Sequence, residues 1–158
     1  IASAQNVVNR TKSICVGLEP CVIPALGHSN FKIEDGTMEF GVGHHGEAGT
    51  KVEKLKSASE MAQEMAETIL NDFDFEEGKE VAVMLSGLGA TPVMELYVLY
   101  DEVEKVLAKA GHKVWKTYIG NYVTSLDMNG ASLTIVDLDD EIKELLSEPA
   151  VPIGMKNY

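Results

Sequence analysis

The strongest restriction on the fold is an uninterrupted apolar run, VAVML at 81–85. A short run of this kind, bounded by turn residues, is typical of a strand that is buried on both faces of a sheet. The next residues, SGLGATP at 86–92, lead into a segment with apolar residues at helical spacing. The sequence therefore predicts a strand–loop–helix unit at the centre of an α/β domain.

Apolar spacing and capping signals predict further elements on both sides of this unit. Ser57 and Glu60 have the spacing of a capping box, and Gly111 follows the longest apolar segment as a stop signal. Helices are predicted at 2–11, 57–73, 92–110 and 139–146, and further strands at 13–18 and 113–120. Because helices alternate with strands, this order favours a sheet that is covered by helices.

Two hairpins are predicted from short turn signals, Asp35-Gly36 and Asn129-Gly130. The first would join residues 31–33 to TMEFGVG, and the second would join YVTSLDM to ASLTIVDL. Glycine favours such reversals because it accepts positive φ angles at little cost. Since hairpin strands are antiparallel, the predicted fold class is α/β with a mixed β-sheet, two hairpins and helices that cover the sheet.

Length and charge restrict the class of protein. The 158 residues suit a single compact domain, 1–158. The formal net charge of −12 disfavours binding to nucleic acid and to anionic membranes, because both carry negative charge. The chain has no apolar run of about 18 residues, and its first residues do not have the pattern of a signal peptide. We therefore expect a cytoplasmic protein without a nucleic-acid or membrane partner.

The cysteines and histidines do not predict a metal site. Cys15 and Cys21 are the only cysteines, and their spacing is not that of zinc ligands. The four histidines do not complete a closed ligand set with them. Free thiols and no bound metal are the expectation.

The segment GVGHHGEAG at 41–49 contains the pattern G-x-G-x-x-G at Gly41, Gly43 and Gly46. The pattern indicates a dinucleotide site only where a helix begins directly after it, and the nearest predicted helix begins about ten residues later. A dinucleotide site is therefore disfavoured. The residues alone leave two interpretations of His45, an imidazole beside a small ligand or a turn residue exposed to solvent, and they favour the second.

Two other segments contain groups that can bind ligands. In SGLGATP, Thr91 is a suitable N-cap and Pro92 a suitable first helical residue, so the helix N-terminus could bind an anion. Without a P-loop lysine, a tight strand–helix turn is the favoured interpretation. In TSLDMNG, Thr124, Ser125 and Asp127 could hold a ligand or a metal, but such side chains more often bind local backbone groups.

Taken in order, three segments resemble one known family. The segments DGTMEFGVGHHGEAG, LSGLGATPVMELY and GNYVTSLDMNGASLTI together resemble the C-terminal half of the dihydroxyacetone-binding subunit of dihydroxyacetone kinase, and SICVGLEPCVIP resembles the segment before the family's histidine loop. The similarity covers about residues 5–138. It implies the second domain of a two-domain subunit. Because the chain begins at Ile1 inside a predicted helix, we expect the N-terminal domain to be absent from this sequence.

The resemblance assigns a role to one histidine. The family loop reads G-x-G-x-H-G-E-P-G, which places the family histidine at His45 and puts His44 at a position that is usually apolar. In the family this histidine forms a covalent hemiaminal with the carbonyl carbon of dihydroxyacetone. By resemblance, His45 is the catalytic and substrate-binding residue, and Gly43, Gly46 and Glu47 are further substrate-binding residues. Two departures are Ala48 in place of the usual proline and Ser86 where asparagine is common.

The resemblance also implies a reaction and partners. It implies phosphorylation of dihydroxyacetone to dihydroxyacetone phosphate, with the phosphotransferase-system-dependent form favoured over the ATP-dependent one. The nucleotide (ADP or ATP) and magnesium would be bound by a partner kinase subunit or domain, so no cofactor is expected here. A phosphoryl donor subunit and a homodimer, with residues 92–110 as a possible contact, are also implied. The isolated domain is expected to be inactive.

Two alternatives to the kinase interpretation remain. A non-catalytic paralogue would sense dihydroxyacetone and regulate transcription through a partner. A phosphate-binding α/β domain would use SGLGATP as its site instead. Replacement of His45 by alanine distinguishes the second alternative from the kinase interpretation. Triose binding would survive the replacement under this alternative and would be lost under the kinase interpretation.

Overall fold

The computed structural model describes residues 1–29, 31–45, 47–73, 78–152 and 155. These residues form four helices and six strands. In chain order they are α1 (Ala2–Asn9), β1 (Thr11–Glu19), β2 (Thr37–Phe40), β3 (Lys51–Lys54), α2 (Ala58–Asn71), β4 (Glu80–Gly87), α3 (Val93–Lys109), β5 (Lys113–Gly120), β6 (Asn129–Asp137) and α4 (Asp140–Ser147).

The strands form one mixed sheet in the order β3-β2-β1-β6-β4-β5. Strands β4 and β5 are parallel and are joined through α3, whereas the other neighbouring pairs are antiparallel. The central strand β6 pairs with β1 on one side and with β4 on the other, and Ser132 lies opposite both Cys15 and Ser86. The predicted class, α/β with a mixed sheet and covering helices, is confirmed.

The main core lies between one face of this sheet and helices α2 and α3. Alternate residues of each strand point to this face, so Val83 and Leu85 of β4 pack beside Leu133 and Ile135 of β6. From the helices, the fully buried side chains that meet them include Met65, Leu96, Val103 and Leu107. Burial of each such side chain contributes about 1.5–3 kcal/mol to stability, so this layer supplies much of the free energy of folding.

Helices α1 and α4 cover part of the opposite face of the sheet. Leu138 and Ile142 pack there against Ala82, with Val7 of α1 beside them. The Asp139 side chain is the N-cap of α4, where Oδ1 accepts the Ile142 N–H at 2.8 Å. These two helices lie toward the end of the sheet where β1 and β4 begin, so the other end of this face is left to loops.

The first predicted hairpin is placed wrongly. The turn itself exists, since Gly36 has φ +75° and the Thr37 N–H donates to the Glu34 carbonyl at 2.9 Å. However, residues 31–33 are not in a strand, and β2 pairs with β1 and with β3 instead. The physical reason is burial: Phe31 packs into a cluster beneath the loops rather than along an edge of β2.

The second predicted hairpin is also placed wrongly. Asn129-Gly130 is the beginning of β6 rather than a turn, and residues 121–128 are a loop. Gly130 has φ +152°, and a Cβ atom there would lie 2.2 Å from the Val16 carbonyl oxygen. The glycine is therefore needed for close approach of two backbones, which the dipeptide alone does not distinguish from a turn.

The predicted N-cap residues are only partly correct. Ser57 and Glu60 form the predicted capping box on α2. Thr91 is not the N-cap of α3; Pro92 is. The Thr91 hydroxyl instead donates to the Gly130 carbonyl at 2.6 Å and accepts the Gly130 N–H at 2.8 Å, which joins the loop before α3 to β6.

Candidate functional site

A cavity of about 430 Å³ lies on the face of the sheet opposite α2 and α3, beyond the area that α1 and α4 cover. Three loops surround it: residues 20–36 after β1, residues 41–50 between β2 and β3, and residues 121–128 between β5 and β6. Cys21, Val42 and Met128 line it, and they belong to an apolar cluster that also contains Cys15 and Leu88. Its polar groups come from the loops and from β2, so a small polar ligand would meet them on one side.

Hydrogen bonds of the backbone hold the 41–50 loop in shape. The Gly41 N–H donates to the Cys15 carbonyl at 2.7 Å, and the Gly43 N–H donates to the Glu47 carbonyl at 2.9 Å. A Cβ atom on Gly43 would lie 2.1 Å from Glu47 Oε2 and 2.7 Å from Glu47 Cβ. The glycine at 43 is therefore required for the tight approach of Glu47 across the loop.

The imidazole of His45 points away from the packed interior. Its side chain is 90% exposed, and its Nδ1 lies 3.7 Å from Glu47 Oε1. The His45 N–H donates to Glu47 Oε2 at 3.0 Å. Backbone N–H groups of Glu47 and His45 hold the pKa of the Glu47 carboxyl below its usual value, with a smaller contribution from the two imidazoles. Glu47 is thus an ionised neighbour of an accessible imidazole.

His44 faces inward, in contrast to its neighbour. Its Nδ1 lies 3.9 Å from Cys15 Sγ, and its carbonyl accepts the Ser125 hydroxyl at 3.1 Å. Its Nε2 is buried and has no hydrogen-bond partner among the described residues. Burial raises the pKa of the Cys15 thiol, so the sulfur stays protonated at neutral pH. The two histidines therefore differ in accessibility: the His45 ring is exposed, whereas Nε2 of His44 is buried.

The residues predicted as a site are brought together where they are described. Gly43, His45 and Glu47 line the same cavity. Gly46 lies outside the described residues. The chain after this loop continues as strand β3, not as a helix, so the G-x-G-x-x-G pattern lacks the helix N-terminus that a dinucleotide site uses.

The SGLGATP segment uses its backbone donors internally. The Leu88 N–H donates to the Gly130 carbonyl at 3.1 Å, and the Ala90 N–H donates to the Met128 carbonyl at 3.0 Å. These bonds hold the loop against the start of β6. The tight-turn interpretation therefore describes this segment better than an anion site.

The TSLDMNG segment is divided between structure and cavity. Asp127 Oδ1 accepts the Val22 N–H at 2.7 Å and so joins two of the loops. Thr124 and Ser125 line the cavity. Ser86 on β4 accepts the Val123 N–H at 3.0 Å and fixes the same loop from below. Only part of this motif lines the cavity.

The sequence analysis missed one charged residue among the described residues that line the cavity. Glu39 of β2 lines the cavity, between the buried side chains of Met38 and Phe40. In an alternating strand, a glutamate between two apolar residues indicates a solvent-facing position. The sequence could not reveal that Glu39 lines a cavity, because this depends on the loops that cover the face of the sheet to which Glu39 points.

The described residues offer neither a metal site nor a membrane-spanning helix. Within the described part of the chain, no group of three or more His, Cys, Asp or Glu side chains is arranged to hold a metal ion. None of the described helices combines the length and apolar character needed to cross a membrane.

Comparison with known proteins gives one family match and similar proteins of two kinds. The model of the Dak1 domain matches residues 1–153. The dihydroxyacetone-binding subunit of PTS-dependent dihydroxyacetone kinase 1 from Listeria innocua is 41% identical over 140 residues, which are 89% of this chain and 43% of the relative. The chain thus spans less than half of that relative's length.

Two solved structures resemble the fold closely. One is a dihydroxyacetone kinase operon co-activator, with a TM-score of 0.87 and 28% identity over 94% of this chain and 46% of the co-activator. The other is the dihydroxyacetone kinase of C. freundii, with a TM-score of 0.83 and 27% identity over 93% of this chain and 27% of the kinase.

Proposed function

Because the chain belongs to the Dak1 domain family, we propose that it is the substrate-anchoring domain of a dihydroxyacetone kinase. We propose further that residues 1–158 are the C-terminal half of a two-domain dihydroxyacetone-binding subunit. The 41% identity to a subunit of that name, over 43% of its length, supports both statements. The favoured form is the phosphotransferase-system-dependent one.

His45 would form the covalent bond to substrate. The observation that carries this proposal is the 90% exposed imidazole at the position of the family histidine, on the wall of the cavity. A ring nitrogen adds its lone pair to the carbonyl carbon, and the C=O π bond opens. The ring loses its N–H proton and the carbonyl oxygen gains one, so a hemiaminal forms without a leaving group.

Glu47 would assist this addition. Its carboxylate lies 3.7 Å from His45 Nδ1, which favours the positive charge that develops on the ring as the other nitrogen attacks. The glycine at 43 leaves space for Glu47. A covalent bond also discriminates by chemistry, because glycerol has no carbonyl to attack, whereas apolar contacts alone separate such small molecules poorly.

Phosphoryl transfer would need further parts of the enzyme. Adenine nucleotide and magnesium would be bound by a partner kinase subunit or domain, and a phosphotransferase-system subunit would supply the phosphoryl group. The whole subunit would form a homodimer. This domain would hold the substrate in position, and the isolated domain would not catalyse phosphorylation.

The first prediction concerns His45. In the full-length polypeptide, [2-¹³C]dihydroxyacetone should show a ketone resonance that moves to the hemiaminal region on binding. His45→Ala should abolish this signal, because the nucleophile is lost. His28→Ala is a matched control, since His28 is exposed outside the cavity and its ring bonds locally to the Ser29 carbonyl. A hemiaminal signal that persists in His45→Ala contradicts the proposed function.

A second candidate function is sensing without phosphorylation. The resemblance to an operon co-activator, with a TM-score of 0.87, supports it. Both candidates would bind triose through His45, so binding does not separate them. Phosphorylation of dihydroxyacetone by the full-length polypeptide with its partner subunits and donor does, because a sensor gives no product.

A further inference from the structure

Glu39 is placed in the cavity by rigid structure. It lies on β2, which pairs with β1 on one side and β3 on the other, and its register partners are Gly17 and Val52. The half-buried side chain lines the same cavity as His45 and Glu47. Unlike those two, it is held by a strand rather than by a loop, so its direction is well defined.

The two carboxylate oxygens of Glu39 have different surroundings. Oε1 accepts the Gly49 N–H at 2.5 Å, which anchors the end of the 41–50 loop. A Cβ atom at Gly49 would lie 2.5 Å from Glu39 Cγ, so the glycine permits this contact. Within the described ranges, Oε2 receives no hydrogen bond, has no cationic partner and is not enclosed. The carboxylate of this cavity-lining residue thus keeps one oxygen as a free acceptor.

From this arrangement we propose that Glu39 Oε2 accepts a hydrogen bond from a hydroxyl of the polyhydroxy ketone bound at His45. The inference rests on the proposed function and deepens it, since it makes Glu39 a substrate-binding residue that selects hydroxylated ketones. An ionised carboxylate is a strong acceptor for a hydroxyl donor. Its other oxygen is already bound to Gly49, so little side-chain freedom is lost when the ligand binds.

The second prediction tests this contact with Glu39→Gln in the full-length polypeptide. The Gly49 N–H needs an acceptor, so the new amide oxygen must face Gly49 and the NH₂ group must replace Oε2. The loop anchor is kept, but a donor now faces the ligand hydroxyl. Binding of dihydroxyacetone should weaken about tenfold or more, the effect of losing a hydrogen bond to a charged group. Glu34→Gln, at an exposed position outside the cavity, is the matched control.

The decisive measurement is a preference between two ketones. The ratio of dissociation constants for acetone and dihydroxyacetone is measured in wild type and in Glu39→Gln. Since acetone lacks both hydroxyls, the proposal requires this preference to shrink about tenfold in the variant. An unchanged ratio overturns it. Should Glu39→Gln unfold, Glu39→Asp gives the same test, because the shorter carboxylate cannot reach Gly49 and the ligand together.

Failure of the inference and failure of the proposed function give different results. If His45→Ala retains the hemiaminal signal, the covalent role of His45 is wrong, and the ketone preference still decides the role of Glu39 by itself. If His45→Ala loses the signal while the preference is unchanged in Glu39→Gln, the proposed function stands and the Glu39 contact is wrong.

Discussion

Two adjacent histidines differ because the loop turns them in opposite directions. His44 is directed to Cys15 with a buried Nε2, while the His45 side chain is 90% exposed. A nucleophile needs an accessible lone pair, so of these two imidazoles the exposed one of His45 fits the proposed role. The resemblance implies that role for the same residue.

The third prediction concerns the contact between Gly43 and Glu47. In Gly43→Ala the new methyl group must displace the Glu47 side chain, which breaks its bond to the His45 N–H. We expect hemiaminal formation to slow by about fivefold, as for loss of one hydrogen bond. Glu47→Ala should have a similar effect. The double variant should be no worse than either single one, because both changes remove the same contact. Fully additive effects would show that the two residues act separately.

At the scale of elements, helix ends carried the most specific sequence signals. The capping box at Ser57 is confirmed in both of its hydrogen bonds, with Glu60 Oε2 accepting the Ser57 N–H at 2.9 Å. In contrast, β3 (Lys51–Lys54) was not predicted, because it is a short edge strand whose residues are mostly exposed and so show no apolar alternation. Turn dipeptides misled twice, for different reasons. Asp35-Gly36 is a turn, but Phe31 before it is packed beneath the loops instead of in a strand. Gly130 serves a close backbone contact instead of a turn.

The fourth prediction concerns this capping box. Ser57→Ala should lower the free energy of unfolding by about 1 kcal/mol, measured by urea denaturation at pH 7. Hydrogen bonds from Ser57 lower the pKa of the Glu60 carboxyl below 4.5. Its stabilising contribution is therefore present above that pH and is lost as the pH falls through the folded-state pKa. Ser57→Ala should reduce this acid sensitivity, and Glu60→Gln should remove it. An unchanged pH profile in Glu60→Gln contradicts this assignment.

On the scale of the whole molecule, the two faces of the sheet are covered by different elements. One face carries the large core against α2 and α3, and the other carries α1, α4 and the loops of the cavity. Strand β6 contributes to both faces, with Leu133 in the core and Ser132 on the opposite face. Substitutions in the core should therefore affect stability before they affect the shape of the site.

The fifth prediction concerns that division. Leu133→Ala should lower the free energy of unfolding by about 2–5 kcal/mol, because the side chain is fully buried in the central strand and its removal leaves a cavity. Leu55→Ala should change it little, since Leu55 is 53% exposed. Denaturant unfolding measures both. Near-equal effects of the two variants would contradict the placement of the core.

The sequence by itself determined those features that depend on residues close together in the chain. The helices and the strands β1, β4 and β5 were predicted within a few residues, because apolar periodicity and capping depend on near neighbours. The three-segment resemblance likewise selected His45. The tertiary structure alone decided that Asn129-Gly130 begins a central strand, that β2 pairs with β3, and that Glu39 faces a cavity. Each of these depends on contacts between residues distant in the chain, which no local pattern specifies.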